Sequence, residues 1–324
     1  MSVLQRIGIA LAISAGYLVL SYFLIGFRPE QIFISGLFTV LYAGTKGTRN
    51  FVLGLMPFII FWVLFDYMKA FPNYRYNTVH IGDLYALEKK LFGVVSGGQL
   101  MTLNEYWELH HVKFLDVVTG FFYLCWMPVP ISFAAYLFYK QRRVALEFCL
   151  TFLLVNFVGF VGYYGFPAAP PWYVHLHGLA FDPHTPGNVA GLARFDNFFG
   201  VSIFHGLYAK SSNVFAAMPS LHASYALVSV YYGLRYKVGR GLNTFLVLVA
   251  LGTWFAAVYT NHHYLLDVLA GIAGALIGIF IFRSILLRIP KFRAFMDAYY
   301  KQVSYQFKIR RRPEGQLSQQ PMQQ

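Results

Sequence analysis

Eight apolar blocks dominate this sequence and exclude a water-soluble fold. They lie at about residues 7–26, 31–45, 51–69, 115–138, 144–164, 219–234, 242–261 and 264–285. A helix needs about 20 apolar residues to cross the hydrocarbon core of a bilayer, so the block at 31–45 is the weakest candidate and is alternatively a re-entrant segment. Only 12% of the residues are charged, which is about half the proportion in a soluble domain. We therefore predict an all-α polytopic membrane protein.

The basic residues predict how the helices are oriented. If all eight blocks cross the membrane, most of the 26 Lys and Arg residues lie on the side of the N-terminus, in short runs such as 140–143 and 235–240. Such runs mark cytoplasmic connections, so the net charge of +13 does not indicate nucleic-acid binding. All ten histidines fall on the opposite side or at its boundary. We expect the chemistry on the non-cytoplasmic face, in a bacterial periplasm rather than a Golgi lumen.

The connections predict three parts. Residues 1–50 form two N-terminal membrane helices, and residues 51–285 form a six-helix unit with long outer loops at 70–113 and 165–218. Long loops above a bundle are typical of a binding platform. The tail at 286–324 is basic and then Gln-rich, which is typical of a partly disordered cytoplasmic segment.

The strongest local motif is Asn261-His262-His263-Tyr264-Leu265-Leu266-Asp267, at the start of the last apolar block. His263 and Asp267 are four residues apart, so they share one helix face. An Asp there accepts a hydrogen bond from one ring nitrogen and leaves the other as a nucleophile or base. An Asp inside a spanning helix costs about 2.5–3.5 kcal/mol on insertion scales, so catalysis is favoured over a simple helix cap.

A second motif, Met218-Pro219-Ser220-Leu221-His222-Ala223-Ser224, opens another helix on the same face. The backbone amides of Ser220 and Leu221 are expected to be free at this helix start and to bind phosphate oxygens. His222 then faces the same site as a proton donor to a leaving alkoxide. Alone, the motif is equally well explained as a helix cap beside a polar histidine, but two such motifs on one face favour a site.

Pro-Ser-x-His followed by His-x-x-x-Asp on successive helix starts resembles the type 2 phosphatidic acid phosphatase superfamily. The resemblance implies that His263 attacks phosphorus, Asp267 orients it and His222 protonates the leaving oxygen. The superfamily motif Lys-x6-Arg-Pro is missing, and residues 166–173, with the sequence FPAAPPWY, stand in its place. The Ser-Arg pair usual before the nucleophile is replaced by alanines at 256–257.

These departures resemble one branch of the superfamily, the fungal-type inositol phosphorylceramide synthases and their bacterial relatives. The similar segments run from His80 through Glu88 to Gly93, over the Pro-Pro-Trp segment, and at 191–196, 215–222 and 262–267. The resemblance covers about residues 50–285 and leaves out the two N-terminal helices. It implies a six-helix core and transfer of phosphoinositol from phosphatidylinositol to ceramide.

Since the superfamily's arginines are missing, other groups must neutralise the phosphate. Arg194 and Lys210 are the only basic residues in the outer loop 165–218, and Arg suits bidentate phosphate binding better. Ordinary loop solvation is the alternative for both. Further candidates for substrate binding are Ser220 and His262 beside the catalytic motifs, Trp172 in the proline-rich segment, and His80, for which a surface-helix cap is equally plausible.

The implied reaction is a double displacement through a phosphohistidine. It requires no metal or other cofactor, because cations of the protein stabilise the charge. Cys125 and Cys149 lie in apolar blocks and are interpreted as packing residues. Three alternatives remain: a lipid phosphate phosphatase, a transferase with another phospholipid donor, and a transporter or scaffold, which would tolerate His263→Ala. The oligomeric state is not predicted.

Overall fold

The structure, a computed structural model, describes residues 2–209 and 213–304 and is predominantly helical. In the described ranges the α-helices are α1 (Val3–Ile25), α2 (Pro29–Ala43), α3 (Lys46–Gly54), α4 (Met56–Tyr67), α5 (Gly82–Phe92), α6 (Leu103–Leu109), α7 (Lys113–Leu124), α8 (Pro128–Lys140), α9 (Arg142–Gly165), α10 (Pro171–His177), α11 (Ala193–Phe199), α12 (Ile203–Tyr208), α13 (Leu221–Arg235), α14 (Arg240–Tyr259), α15 (Leu265–Phe280) and α16 (Pro290–Val303). A short antiparallel hairpin joins β1 (Val94–Ser96) to β2 (Gln99–Met101) in the first outer loop.

Every apolar block forms helix, but the helices differ in length. In the described part of the chain, α1, α9, α14 and the helix beginning with α15 are long and apolar enough to cross a membrane, and two bent pairs raise the number to six. The helices at the block 31–45 and at the second motif, α2 and α13, have 15 residues each, fewer than a full span needs. The protein is therefore an all-α integral membrane protein, and four to six helices of its described residues are long and apolar enough to span a membrane.

Prolines explain why two blocks are bent. α3 and α4 meet at an angle of 51° around Leu55, and α7 and α8 meet at 43° around residues 125–127. Pro57 and Pro128 lie in the first turns of the second helix of each pair. Proline lacks the N–H that a continuous helix would use, so each block breaks into two helices there.

The central helix of the bundle is α9, which packs against α4, α8, α13 and α15. Its buried aromatic side chains form a cluster with α4 and α13, in which Phe152 lies 4.3 Å from Phe58 and 4.4 Å from Tyr225 between ring centroids. Cys149 is fully buried in the same cluster as a free cysteine, in agreement with a packing role. Burial of this cluster fixes α13 and α15 relative to the rest of the bundle.

The starts of α13 and α15 approach closely because of one glycine. A Cβ at Gly271 would lie 2.1 Å from the carbonyl oxygen of Ser220, so only glycine permits this contact. Ser224 completes it by donating its hydroxyl to the Gly271 carbonyl oxygen at 2.7 Å. The two helix starts that carry the sequence motifs are thereby held side by side on one face.

The two ends of the chain pack on the bundle differently. α1 and α2 form an antiparallel hairpin against α4, with most of the α1 surface unburied by protein. Part of the tail is ordered: α16 lies against α3 and α9, and the Tyr299 hydroxyl donates to the Leu53 carbonyl oxygen at 2.5 Å. The rest of the 286–324 tail, from residue 305 on, lies outside the described residues, so its predicted partial disorder stays a prediction. The division at residues 50 and 285 stays a prediction.

Candidate active site

Three side chains from the two motifs form a row at one end of the bundle. His263 Nε2 lies 3.2 Å from His222 Nδ1, and His263 Nδ1 lies 3.5 Å from Asp267 Oδ2. The second distance is longer than a good hydrogen bond, as is common for catalytic contacts before substrate binds. The row allows Asp267 to hold one nitrogen of His263 while the other faces the attacked atom and the proton donor.

Aromatic side chains enclose the proton-donor candidate. The ring of His222 lies 4.8 Å from that of Trp126 and 4.9 Å from that of Tyr123. Tyr123 lies in the last turn of α7, and Trp126 lies in the bend between α7 and α8. Because they exclude water from one side of the imidazole, they favour its neutral form at rest.

The protein's own carboxylates occupy the start of α15. Glu88, on α5, is fully buried and accepts hydrogen bonds from the amides of Leu265 and Leu266, each at 3.0 Å. Asp267 Oδ2 accepts from the amide of Tyr264 at 2.8 Å. The amides of Tyr264, Leu265 and Leu266 at this helix start are therefore already bonded, and Glu88 fixes the turn that carries His263. Burial raises the pKa of Glu88, an effect that its two backbone hydrogen bonds oppose.

Ser220, the N-cap residue of α13, is also bonded within the protein. The amide of Ser220 donates to the Asp267 carbonyl oxygen at 2.9 Å, and its hydroxyl accepts from the Ala223 amide at 3.4 Å. Ser220 is fully buried and does not line the cavity described next. The structure therefore gives Ser220 the role of an N-cap residue rather than the predicted role in substrate binding.

The row of catalytic candidates opens into a cavity of about 620 Å³. One wall comes from the outer loops, and another comes from α1, α2 and α4. Five tyrosines line it, Tyr17, Tyr123, Tyr163, Tyr208 and Tyr225, together with His222, His262 and His263. A cavity of this size, mostly apolar with a few convergent polar groups, is typical of a small-molecule or head-group site.

Two of the predicted substrate-binding residues line this cavity. Trp172 is buried at the start of α10, where its amide donates to the Asn261 carbonyl oxygen at 3.1 Å. His262 is stacked on Tyr208, with 4.2 Å between ring centroids, and its Nε2 donates to the Val189 carbonyl oxygen at 3.1 Å. Burial lowers the pKa of His262 to about 3, so this side chain is neutral with its proton on Nε2. Substrate contact by either residue stays a prediction.

Arg194 is placed behind the site and does not line the cavity. Its Nε donates to Asp116 Oδ1 at 2.7 Å, and its Nη1 donates to Glu108 Oε2 at 3.1 Å. Glu108 Oε2 also accepts from Asn261 Nδ2 at 2.6 Å. Because two carboxylates neutralise the guanidinium, the predicted phosphate contact is not supported, and Arg194 instead connects α11 with α6, α7 and the loop before His263.

The other two predicted binding residues have different outcomes. His80 pairs with Asp83 and stacks on Phe166 at 3.7 Å between ring centroids. It is absent from the cavity lining, and the N-cap position of α5 is Ile81, so the role of His80 stays a prediction. Lys210 lies outside the described residues.

Two polar residues near the nucleophile escaped the sequence reasoning. Asn104 is buried on α6 and donates to the carbonyl oxygens of Val258 at 2.8 Å and His263 at 3.0 Å. Glu108, one turn later on the same helix, receives Arg194 and Asn261. The sequence feature that could have located them is the capping box at Thr102 and Glu105, which marks the start of a helix. It places Asn104 in the first turn of that helix, but it does not show which part of the protein the helix contacts.

The bundle, the paired histidines and the orienting aspartate define a membrane enzyme of the phosphatidic acid phosphatase type. Residues 83–281 match the PAP2 superfamily, and this chain belongs to that superfamily. The resemblance found in the sequence is confirmed.

The relatives point to one branch. The chain is 45% identical over 294 residues to the phosphoinositol dihydroceramide synthase of Bacteroides thetaiotaomicron, which covers 90% of this chain and 96% of the relative. The catalytic subunit of inositol phosphorylceramide synthase is 34% identical over 246 residues in Schizosaccharomyces pombe and 28% over 235 residues in Saccharomyces cerevisiae. These alignments cover 72% and 69% of the chain and 54% of each fungal protein, so the chain spans about half their length. No solved structure matches the chain.

Proposed function

We propose that this protein transfers phosphoinositol from phosphatidylinositol to a ceramide-type lipid alcohol, forming inositol phosphorylceramide and diacylglycerol. The observation that carries the proposal is the row Asp267, His263 and His222 at the mouth of a cavity of about 620 Å³. The row supplies an orienting carboxylate, a nucleophile and a proton carrier. The names of the relatives supply the donor and acceptor classes.

In the first half-reaction, His263 Nε2 attacks the phosphorus of the donor. His222 takes up a proton from solvent when the anionic phosphodiester binds beside it, since a neighbouring negative charge favours the charged imidazolium. The bond between phosphorus and the glycerol oxygen breaks, and protonated His222 gives its proton to that oxygen, so diacylglycerol leaves. The phosphoinositol group is now held on His263, whose Nδ1–H faces Asp267. The carboxylate stabilises the positive charge that develops on the ring.

In the second half-reaction, the primary hydroxyl of the ceramide attacks the same phosphorus. His222, now neutral, takes the hydroxyl proton, and the bond between phosphorus and His263 breaks. Covalent catalysis divides one difficult displacement into two easier ones. Transfer to lipid rather than water is favoured by the aromatic lining around His222, because it limits the access of water to the intermediate.

We place this site on the non-cytoplasmic face, in the periplasm of a bacterial inner membrane. The support is the charge distribution: the opposite end of the bundle carries Arg142, Arg143, Arg235, Arg240 and Arg283. Attachment of a membrane-impermeant thiol reagent to an exposed His175→Cys variant in intact cells tests the orientation. Labelling without permeabilisation is expected, and labelling only after permeabilisation would contradict it.

The decisive experiment supplies purified protein with labelled phosphatidylinositol, with and without ceramide. We expect ceramide-dependent inositol phosphorylceramide in the wild type and a loss of about 10⁴-fold or more in His263→Ala, because removal of a covalent nucleophile abolishes both half-reactions. His175→Ala, an exposed histidine on α10, is the matched control and should remain active. Release of inositol phosphate whether or not ceramide is present would instead indicate a phosphatase-type reaction, and turnover only with another phospholipid would change the donor.

A further inference from the structure

The cavity has a second polar region, far along the chain from the catalytic motifs. Tyr17 on α1, Arg28 just before α2, Gln31 on α2 and Asp66 on α4 line the same cavity as His222 and His263. All four precede residue 83, where the match to the superfamily begins. The N-terminal hairpin is therefore part of the substrate site, although it lies outside the matched core.

An ion pair forms the centre of this region. Arg28 Nη1 lies 2.8 Å from Asp66 Oδ1, and the side chains keep 20% and 16% of their surface exposed. A guanidinium carries five N–H groups and a carboxylate has about four acceptor sites, so this single bond leaves both groups able to bind a ligand in the cavity. Charged residues at a membrane helix are costly and usually functional.

The surrounding contacts hold the pair in place. Gln31, which is 2% exposed, accepts from the Arg28 amide at 3.2 Å and donates to the Gly26 carbonyl oxygen at 3.3 Å. Ser21 and Tyr67 share a hydrogen bond of 2.9 Å that connects α1 to the end of α4. The loop that carries Arg28 is thus fixed before any ligand binds, which lowers the entropic cost of recognition.

The chemistry of this region selects its ligand. An anion alone would meet Asp66 as well as Arg28, so a phosphate gains little there. A neutral ring with adjacent hydroxyls can donate to the carboxylate and accept from the guanidinium at once. Trp62 and Phe65 line the same wall and offer flat apolar surfaces to the C–H faces of such a ring.

We propose that Arg28 and Asp66 bind the hydroxyl groups of the polyol ring of the donor head group while its phosphate lies at His263. The inference rests on the proposed function for the identity of that ring, inositol. It assigns the N-terminal hairpin the selection of the donor head group. Arg28 and Asp66 are binding residues and take no part in the chemical steps.

The test measures lipid binding in the His263→Ala background, so that it does not depend on turnover. Two phosphodiester lipids of equal charge are compared by competition in detergent micelles: phosphatidylinositol and phosphatidylmethanol, which lacks the ring. Adding Arg28→Gln should lower the affinity for phosphatidylinositol about tenfold, as expected for the loss of one or two hydrogen bonds to a charged group. The affinity for phosphatidylmethanol should change less than twofold.

Two further variants guard against a folding defect. Asp66→Asn keeps the side-chain volume and should also lower the affinity for phosphatidylinositol selectively. Arg75 is an exposed arginine outside the cavity lining, so Arg75→Gln should leave the affinity for both lipids unchanged. Equal weakening of both lipids, or no weakening of either, would overturn the proposal. A wild-type protein that binds phosphatidylinositol selectively but makes no inositol phosphorylceramide would instead refute the proposed transfer and leave the ring site standing.

Discussion

The starts of α13 and α15 lie side by side on one face and carry the two halves of the catalytic row, yet their backbone amides are satisfied in different ways. At α13 the acceptor is a neutral side chain, since the Ser220 hydroxyl accepts a hydrogen bond from the amide of Ala223. At α15 the acceptors are two buried carboxylates, Glu88 from another helix and Asp267 from α15 itself. The nucleophile is thus carried by the helix start with more negative charge.

This difference explains how two similar helix starts can support different roles. In the proposed reaction, a carboxylate near His263 stabilises the positive charge that its ring acquires on attack. A neutral cap near His222 adds no charge, so this histidine can be protonated in one step and neutral in the next. Three substitutions test the comparison.

The largest effect is expected for Asp267→Asn. The amide can still accept from the Tyr264 backbone, but it cannot stabilise a charged His263 and it favours the wrong ring tautomer. We expect kcat to fall about 10²–10⁴-fold with little change in KM, as for the equivalent change in hydrolase triads. Steady-state transfer kinetics measure this, with Asp297→Asn, a half-exposed carboxylate on α16, as a control near wild type. A loss of less than fivefold would show that Asp267 is only a cap.

An intermediate effect is expected for Glu88→Gln. The glutamine accepts one of the two amide hydrogen bonds and presents an N–H to the other, which displaces the turn that carries His263. We expect about a tenfold loss in kcat, which corresponds to about 1.4 kcal/mol. Asp83 is an exposed carboxylate on the same helix, and Asp83→Asn should lower kcat less than twofold.

The acid side of the pH profile sharpens the test of Glu88. Because burial raises its pKa, protonation begins at a higher pH than for an ordinary glutamate, and it removes an acceptor from the two amides. Wild-type activity should therefore decline on the acid side in a step that Glu88→Gln lacks. Identical acid limbs in the two proteins would contradict this role.

The smallest effect is expected for Ser220→Ala. Loss of an N-cap hydroxyl costs about 1 kcal/mol of stability, so a lower midpoint of thermal unfolding in detergent is expected, with activity reduced less than threefold. Ser220→Asn, which restores a capping group, should recover part of the stability. A large rise in KM for the donor at unchanged stability would instead support direct substrate contact.

Helix content and the catalytic row could be predicted because both depend on local sequence. Apolar blocks predicted every long helix, and the spacing of His263 and Asp267 placed them on one face. The bends at Leu55 and at residues 125–127 were missed because a proline shows that a helix breaks but not whether the chain continues in the same direction.

The residues around the row were harder to predict because their roles depend on partners far along the chain. Arg194 was assigned to phosphate because it is basic and lies in an outer loop, but Asp116 and Glu108 neutralise it from 78 and 86 positions away. Glu88 reaches the amides of α15 across 177 positions. Pairings at such separations leave no periodic signal in one sequence.

The hydrogen bond of 3.2 Å between His263 Nε2 and His222 Nδ1 also has a consequence for the resting protein. One proton is shared between the two nitrogens. The lone pair of His263 Nε2 that attacks phosphorus in the proposed reaction is therefore held in this hydrogen bond until the donor phospholipid binds. A head group must part the rings before phosphorus can approach, and breaking the contact costs about 1 kcal/mol. A lipid that fills the cavity meets that cost through its other contacts, whereas a small phosphate ester has few contacts to offer. In the proposed reaction, we therefore expect this contact to protect the nucleophile from unproductive phosphorylation by small phosphate esters.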